Sequence, residues 1–131
     1  MRDLKSNVDI AQSLLPLSRT ATADGTGVDL RGYDAAMVVF DMGLASGTSP
    51  VFTHIIEESD DNSTFTTVAA ADLDGAAPVV TAANDNGVTR VGYTGGSRYI
   101  RAAISAVAGT SPVLVSSASV VRGNPSLAPL A

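Results

Sequence analysis

Three dipeptides set the terms for this chain: Asp24-Gly25, Asp74-Gly75 and Asn86-Gly87. Each tolerates the positive φ that a tight reversal needs. Around them, Gly, Pro, Ser, Thr, Asn and Asp recur at roughly the eight-to-twelve-residue interval of all-β chains. The intervening runs are short and rich in Val, Ile, Thr, Phe and Tyr. Helices of ordinary length find little room between such breaks, so the expected class is all-β, as an antiparallel β-sandwich or small β-barrel.

The runs can be placed. Residues 35–42, AAMVVFDM, are nearly continuously apolar and read as a central strand buried on both sides. Residues 51–58 and 64–68 follow as strands. Residues 88–94 come after the Asn-Gly turn and are expected to pair back onto residues 78–81. From 98 to 106 the pattern alternates, with Ile100, Ala102 and Ile104 on one face. From 113 to 121 it alternates again, with Leu114, Ala118 and Val120 together. Period-two alternation over that length favours strands. The segment GTSPV occurs twice, at 47–51 and 109–113. Pro donates no ladder hydrogen bond, so each copy is read as the loop of a hairpin. Internal duplication is the other reading of the echo.

At 131 residues the chain holds one domain. We divide it into an N-terminal arm at 1–22, an antiparallel β domain at 23–122 and a C-terminal tail at 123–131. Leu4, Val8, Ala11 and Leu15 fall at helical spacing, so the arm is either extended or partly helical. Pro125 and Pro129 break the tail, which carries Leu127 and Leu130. No apolar run approaches the roughly 20 residues that span a bilayer, and the N-terminus lacks the apolar core of a signal peptide. We therefore expect a soluble chain without membrane contact.

The chemistry is sparse. With no Cys, neither disulfides nor thiolate metal sites can form. The net charge of −5 and the single lysine, Lys5, argue against binding bare nucleic acid. Arg90, Arg98 and Arg101 are the one candidate basic patch. His54, the only histidine, lies between Phe52 and Ile56 on one strand face and reads as a half-buried strand residue. No Gly-x-Ser-x-Gly elbow, P-loop or dinucleotide fingerprint is present. The densest charge is EESDDNSTFT, residues 57–66. Glu57, Glu58, Asp60 and Asp61 lack the ligand spacing of a calcium loop. Their Ser, Asn and Thr neighbours should keep carboxylates ionised, unlike a tuned general acid. The stretch reads as a hairpin tip, with Glu57 and Glu58 on opposite faces and at least one exposed. We expect no enzyme, and no catalytic, cofactor-binding or metal-binding residues.

Three stretches together resemble a known group. EESDDNSTFTTV resembles an E-S-D-D-G-S-T-F/W-T-x-V hairpin, with Asn62 in place of its Gly. GYTGGSRYIRAAIS resembles a G-Y-x-G-G-x-R-Y-I/L-R-V strand entry, with Ala103 where a β-branched residue is common. VVRGNPSLAPLA resembles a G-x-P-x-x-x-P C-terminus. In this order they are similar to small structural proteins from the heads of tailed bacteriophages and prophages. The resemblance covers about residues 50–131. It implies a head decoration, or cement, protein that works by contact, without cofactors. The implied partner is the phage major capsid protein, with a homo-oligomer, favoured as a trimer, on the capsid surface of the virion. A head–tail joining or tail component is the nearest alternative. A carbohydrate-binding β-sandwich module is the alternative of another class, with only Tyr33, Tyr93 and Tyr99 to serve it.

Overall fold

The computed structural model describes residues 3–125. It is all-β and antiparallel: nine strands in one sheet, with short 3-10 turns at Lys5–Asn7 and Ala70–Asp72. The strands are β1 (Val8–Arg19), β2 (Ala23–Asp24), β3 (Val28–Asp29), β4 (Tyr33–Ser59), β5 (Thr66–Thr67), β6 (Leu73–Asp74), β7 (Val79–Thr81), β8 (Val88–Tyr93) and β9 (Tyr99–Pro125).

Two strands of 27 residues, β4 and β9, carry the architecture. They pair with each other from Tyr33↔Pro125 to Ser59↔Tyr99, with register shifts in the middle. A straight strand would separate Phe40 from His54 by roughly 45 Å. Their rings instead meet edge-to-face at 5.4 Å between centroids. The β4–β9 ribbon is therefore folded over, and its halves face each other as two layers. Ser13 of β1 ties the layers at one side: its Oγ accepts from Ala102 N (2.9 Å) and its carbonyl from Thr26 N (2.8 Å).

The fold-over explains the core. Val38, Phe40 and Met42 point inward from one half of β4, and Phe52, His54 and Ile56 from the other. Ile100, Ala102 and Ile104, then Leu114, Ser116, Ala118 and Val120, do the same along β9. The alternation read for 98–106 and 113–121 is thus the real inward face.

Several expectations are corrected. The GTSPV segments are not hairpin loops. Each lies inside a long strand, and the two face one another with Thr48 opposite Thr110. They are the bends of the ribbon, made by positive φ at Gly47 (104°), Ser49 (50°), Gly109 (110°) and Ser111 (48°). Strand β8 pairs with residues 36–41 of β4, not with β7, which pairs with Val51–Thr53. Residues 35–42 are central in the sheet but buried on one face only, with Asp41 exposed. Helical spacing near the N-terminus does not give a helix. Residues 8–19 of the expected arm form β1 against residues 114–123 of β9, because that edge of β9 needs ladder partners. The tail begins as strand, with Gly123 opposite Val8 and Pro125 opposite Tyr33. Its remainder, with Leu127 and Leu130, lies outside the described residues.

Of the three turn dipeptides, Gly75 (φ 110°) and Asn86 (φ 55°) adopt positive φ. Gly25 serves a different purpose: a Cβ there would sit 2.4 Å from Ala102 O, so only glycine lets the backbones approach.

Candidate functional site

The acidic stretch is a hairpin, with β4 returning through residues 60–65 into β5 (Glu57↔Thr67, Glu58↔Thr66). Its carboxylates diverge. Glu57 receives the Nε and a terminal nitrogen of Arg101, both at 2.9 Å. Arg101 also lies 3.7 Å from Asp24 and stacks over the Phe65 ring at 4.0 Å. Glu58 accepts the Tyr93 hydroxyl at 2.7 Å, which together with burial raises the phenol's pKa. Both glutamates are half-buried, correcting the expectation that one would be exposed. The reason is tertiary: Phe65 with Arg101 covers one face of the strand end, and the Tyr93 loop covers the other.

Asp61 is the loop's own cap. One carboxylate oxygen accepts from Ser59 Oγ, Ser63 N and Thr64 N, each at 2.9 Å. These donors hold its pKa below the ordinary value. Asn62 takes φ 58°, which is why Asn can stand where the resembling hairpins carry Gly. Asp60 is exposed. Among the described residues no three of His, Cys, Asp and Glu gather as a metal-binding group.

His54 is buried deeper than expected, at 2% exposure. Its Nδ1 lies 3.2 Å from Pro78 O, and Nε2 has no partner. Desolvation lowers its pKa, so the ring stays neutral. It is a core residue packed on Phe40.

The three arginines of the candidate basic patch share no partner. Arg98 makes two bonds to Asp29, at 3.0 and 2.8 Å, and holds that carboxyl down to about 2. Arg101 is committed to Glu57, and Arg90 lies exposed on β8. Arg122 bonds Asp9 and Asp29 O while stacking over Tyr33 at 4.8 Å. Tyr33 is thus covered by Arg122, Tyr99 by Arg98 and Tyr93 is 7% exposed, leaving no open aromatic platform for a sugar. An open depression of about 450 Å³ lies between residues 30–36 and the 93–98 loop, with Asp60 at its rim. Of its polar lining, Tyr93 and Arg98 are bonded within the fold, while Arg31, Asp34 and Asp60 are exposed.

What sequence reading missed is apolar. Leu17 (51% exposed), Leu44 (61%) and Val115 (45%) stand out on the surface. Leu44 and Val115 are neighbours, since Gly43 packs on Val115, whereas Leu17 lies opposite the buried Ser116 and so faces the other side of the sheet from Val115, which lies opposite Ser18. Leu15, also half-exposed, is close in β1. No local signal marks these residues, because their exposure follows from which layer each strand face meets. No protein-family model matches the chain, and no curated protein matches it.

Proposed function

We propose that this chain is a non-enzymatic structural protein of a phage virion, a capsid decoration protein that binds across major capsid subunits and stabilises the head. The observation that carries the reading is the ordered trio of stretches, at 57–68, 92–105 and 120–131, that resemble phage head proteins. Two features of the fold support it. Glu57, Glu58 and Asp61 of the hairpin are spent on internal bonds, while Asp60 stands exposed. The exposed Leu44 and Val115, with Leu15 in the adjacent strand, are what a protein-contact surface presents. Contact across the joints between capsid subunits adds buried area that internal DNA pressure must break. Binding as a trimer at local three-fold positions would multiply that area. Because residues 8–19 belong to the sheet, the folded body makes this contact, and not a free arm.

The test is co-sedimentation of purified protein with expanded capsid shells. Wild-type protein binds and raises the shells' melting temperature. Leu44→Asp with Val115→Asp abolishes binding while the circular dichroism spectrum is kept. Failure of the wild type to bind refutes the reading. A count of only a few copies per virion would replace it with a head–tail joining role.

A further inference from the structure

The repeated GTSPV segment marks a larger regularity. Gly47 and Gly109, Ser49 and Ser111, and Asn62 and Asn124 are three pairs in which both members have positive φ. Every pair is separated by 62 positions. Their angles agree closely: 104° and 110°, 50° and 48°, 58° and 51°. The β4–β9 register turns about Thr48 opposite Thr110, themselves 62 apart. Rotating the ribbon by half a turn about that point exchanges β4 with β9.

Parts of the flanking strands follow the same exchange; Val8–Leu14 of β1 does not, because it lies on β9 while β6, 62 positions on, lies on β8. Strand β8 lies on residues 36–41 of β4, while β2 and β3 lie on residues 99–104 of β9. Strand β7 lies on Val51–Thr53, while Leu17–Arg19 of β1 lie on residues 114–116. The two registers differ by one residue. The close contacts are reciprocal too. A Cβ on Gly47 would meet Ser111 O at 2.5 Å, and one on Gly109 would meet Ser49 O at 2.6 Å. Inward residues also match at this spacing: Val38 with Ile100, Phe52 with Leu114, and His54 with Ser116, two of the four buried polar residues.

Connectivity gives the symmetry a physical consequence. Seven of the eight strand ladders join a strand within 8–59 to a strand within 66–125, and only β6–β8 lies inside one half. Neither half has a sheet of its own. The loop after Ser59 joins them covalently, and its bonds are internal to residues 59–64.

We propose that the chain is a fused, intertwined dimer: two copies of one 62-residue β unit that bind each other as separate chains would. The interaction surface is the β4–β9 ribbon, and the partner that each half fits is the other half. The covalent link at residues 60–65 is dispensable for the fold.

A protease site inserted between Asn62 and Ser63 of the full chain tests this. After cleavage the two fragments remain one species of full-chain mass by native mass spectrometry. They refold together from denaturant, and their melting point becomes dependent on protein concentration. Fragments that part in native buffer would overturn the proposal. If the insertion itself prevents folding, a circular permutant beginning at Ser63 replaces it. Its closure links the segments before Val8 and after Gly123, two residues that pair in the sheet, and an unfolded permutant would count against the proposal. Equivalence of the halves has its own readout. Gly47→Ala and Gly109→Ala lower the melting temperature by amounts that agree within about a factor of two. A large loss for one and none for the other would refute it.

Discussion

Replacing His54 with leucine should stabilise the protein in mild acid. The ring is buried, with Nε2 unpartnered, and burial depresses its pKa from the ordinary 6.5. The unfolded chain therefore binds a proton, as pH falls through 6.5, that the folded chain refuses. Stability is full above pH 6.5 and declines below it, until the folded-state pKa is reached. The unfolded-state proton sets the ceiling on this loss, at most about 1.4 kcal/mol at pH 5.5 and about 2 kcal/mol at pH 5. For a domain of this size, 1.4 kcal/mol corresponds to roughly 4–6 °C in melting temperature. His54 is the only histidine, so this window belongs to it. Asp29, held down to about 2, contributes stability above pH 3.8 that is lost only in stronger acid. Leucine fills a similar volume, and Pro78 O keeps its bond from the His54 backbone N–H (3.0 Å). The assay is thermal unfolding of wild type and His54→Leu from pH 7.5 to 5. The variant's curve should be flat where the wild type's falls. Parallel declines would refute the claim that a buried neutral imidazole causes the loss.

Other perturbations follow from the same geometry. Phe40→Ala, in a fully buried position, should cost about 3–5 kcal/mol in chemical denaturation. Glu57→Gln leaves the half-buried Arg101 without its closest ion pair and should cost about 1–2 kcal/mol in chemical denaturation. Asp61→Ala should speed amide exchange at Ser63 and Thr64, whose N–H groups it accepts, while leaving exchange in the core of β9 unchanged. Deleting residues 1–19 removes β1 and should abolish cooperative unfolding by circular dichroism, because β9 loses the ladder from Leu114 to Gly123.

The candidate site shows how far local reading reaches. Asp61 and its neighbours were legible as a self-bonding turn, because Asx turns are completed within three residues. The environments of Glu57 and Glu58 were not, because Arg101 and Tyr93 lie 44 and 35 positions away. The exposed pair Leu44 and Val115 was equally invisible, since apolar residues on a strand carry no mark of which layer they will meet.

By itself the sequence determined that this protein is all-β, with inward faces at Ile100, Ala102 and Ile104 and at Leu114, Ala118 and Val120. Period-two alternation and turn chemistry are local properties, and they act before any long-range contact exists. Tertiary structure alone decided that GTSPV is a bend and not a hairpin. It also decided that residues 8–19 are a strand and that the two halves share one sheet. Those outcomes depend on which backbone donors and acceptors remain unpaired once β4 and β9 align. That is a property of the assembled sheet, and no stretch of residues carries it alone.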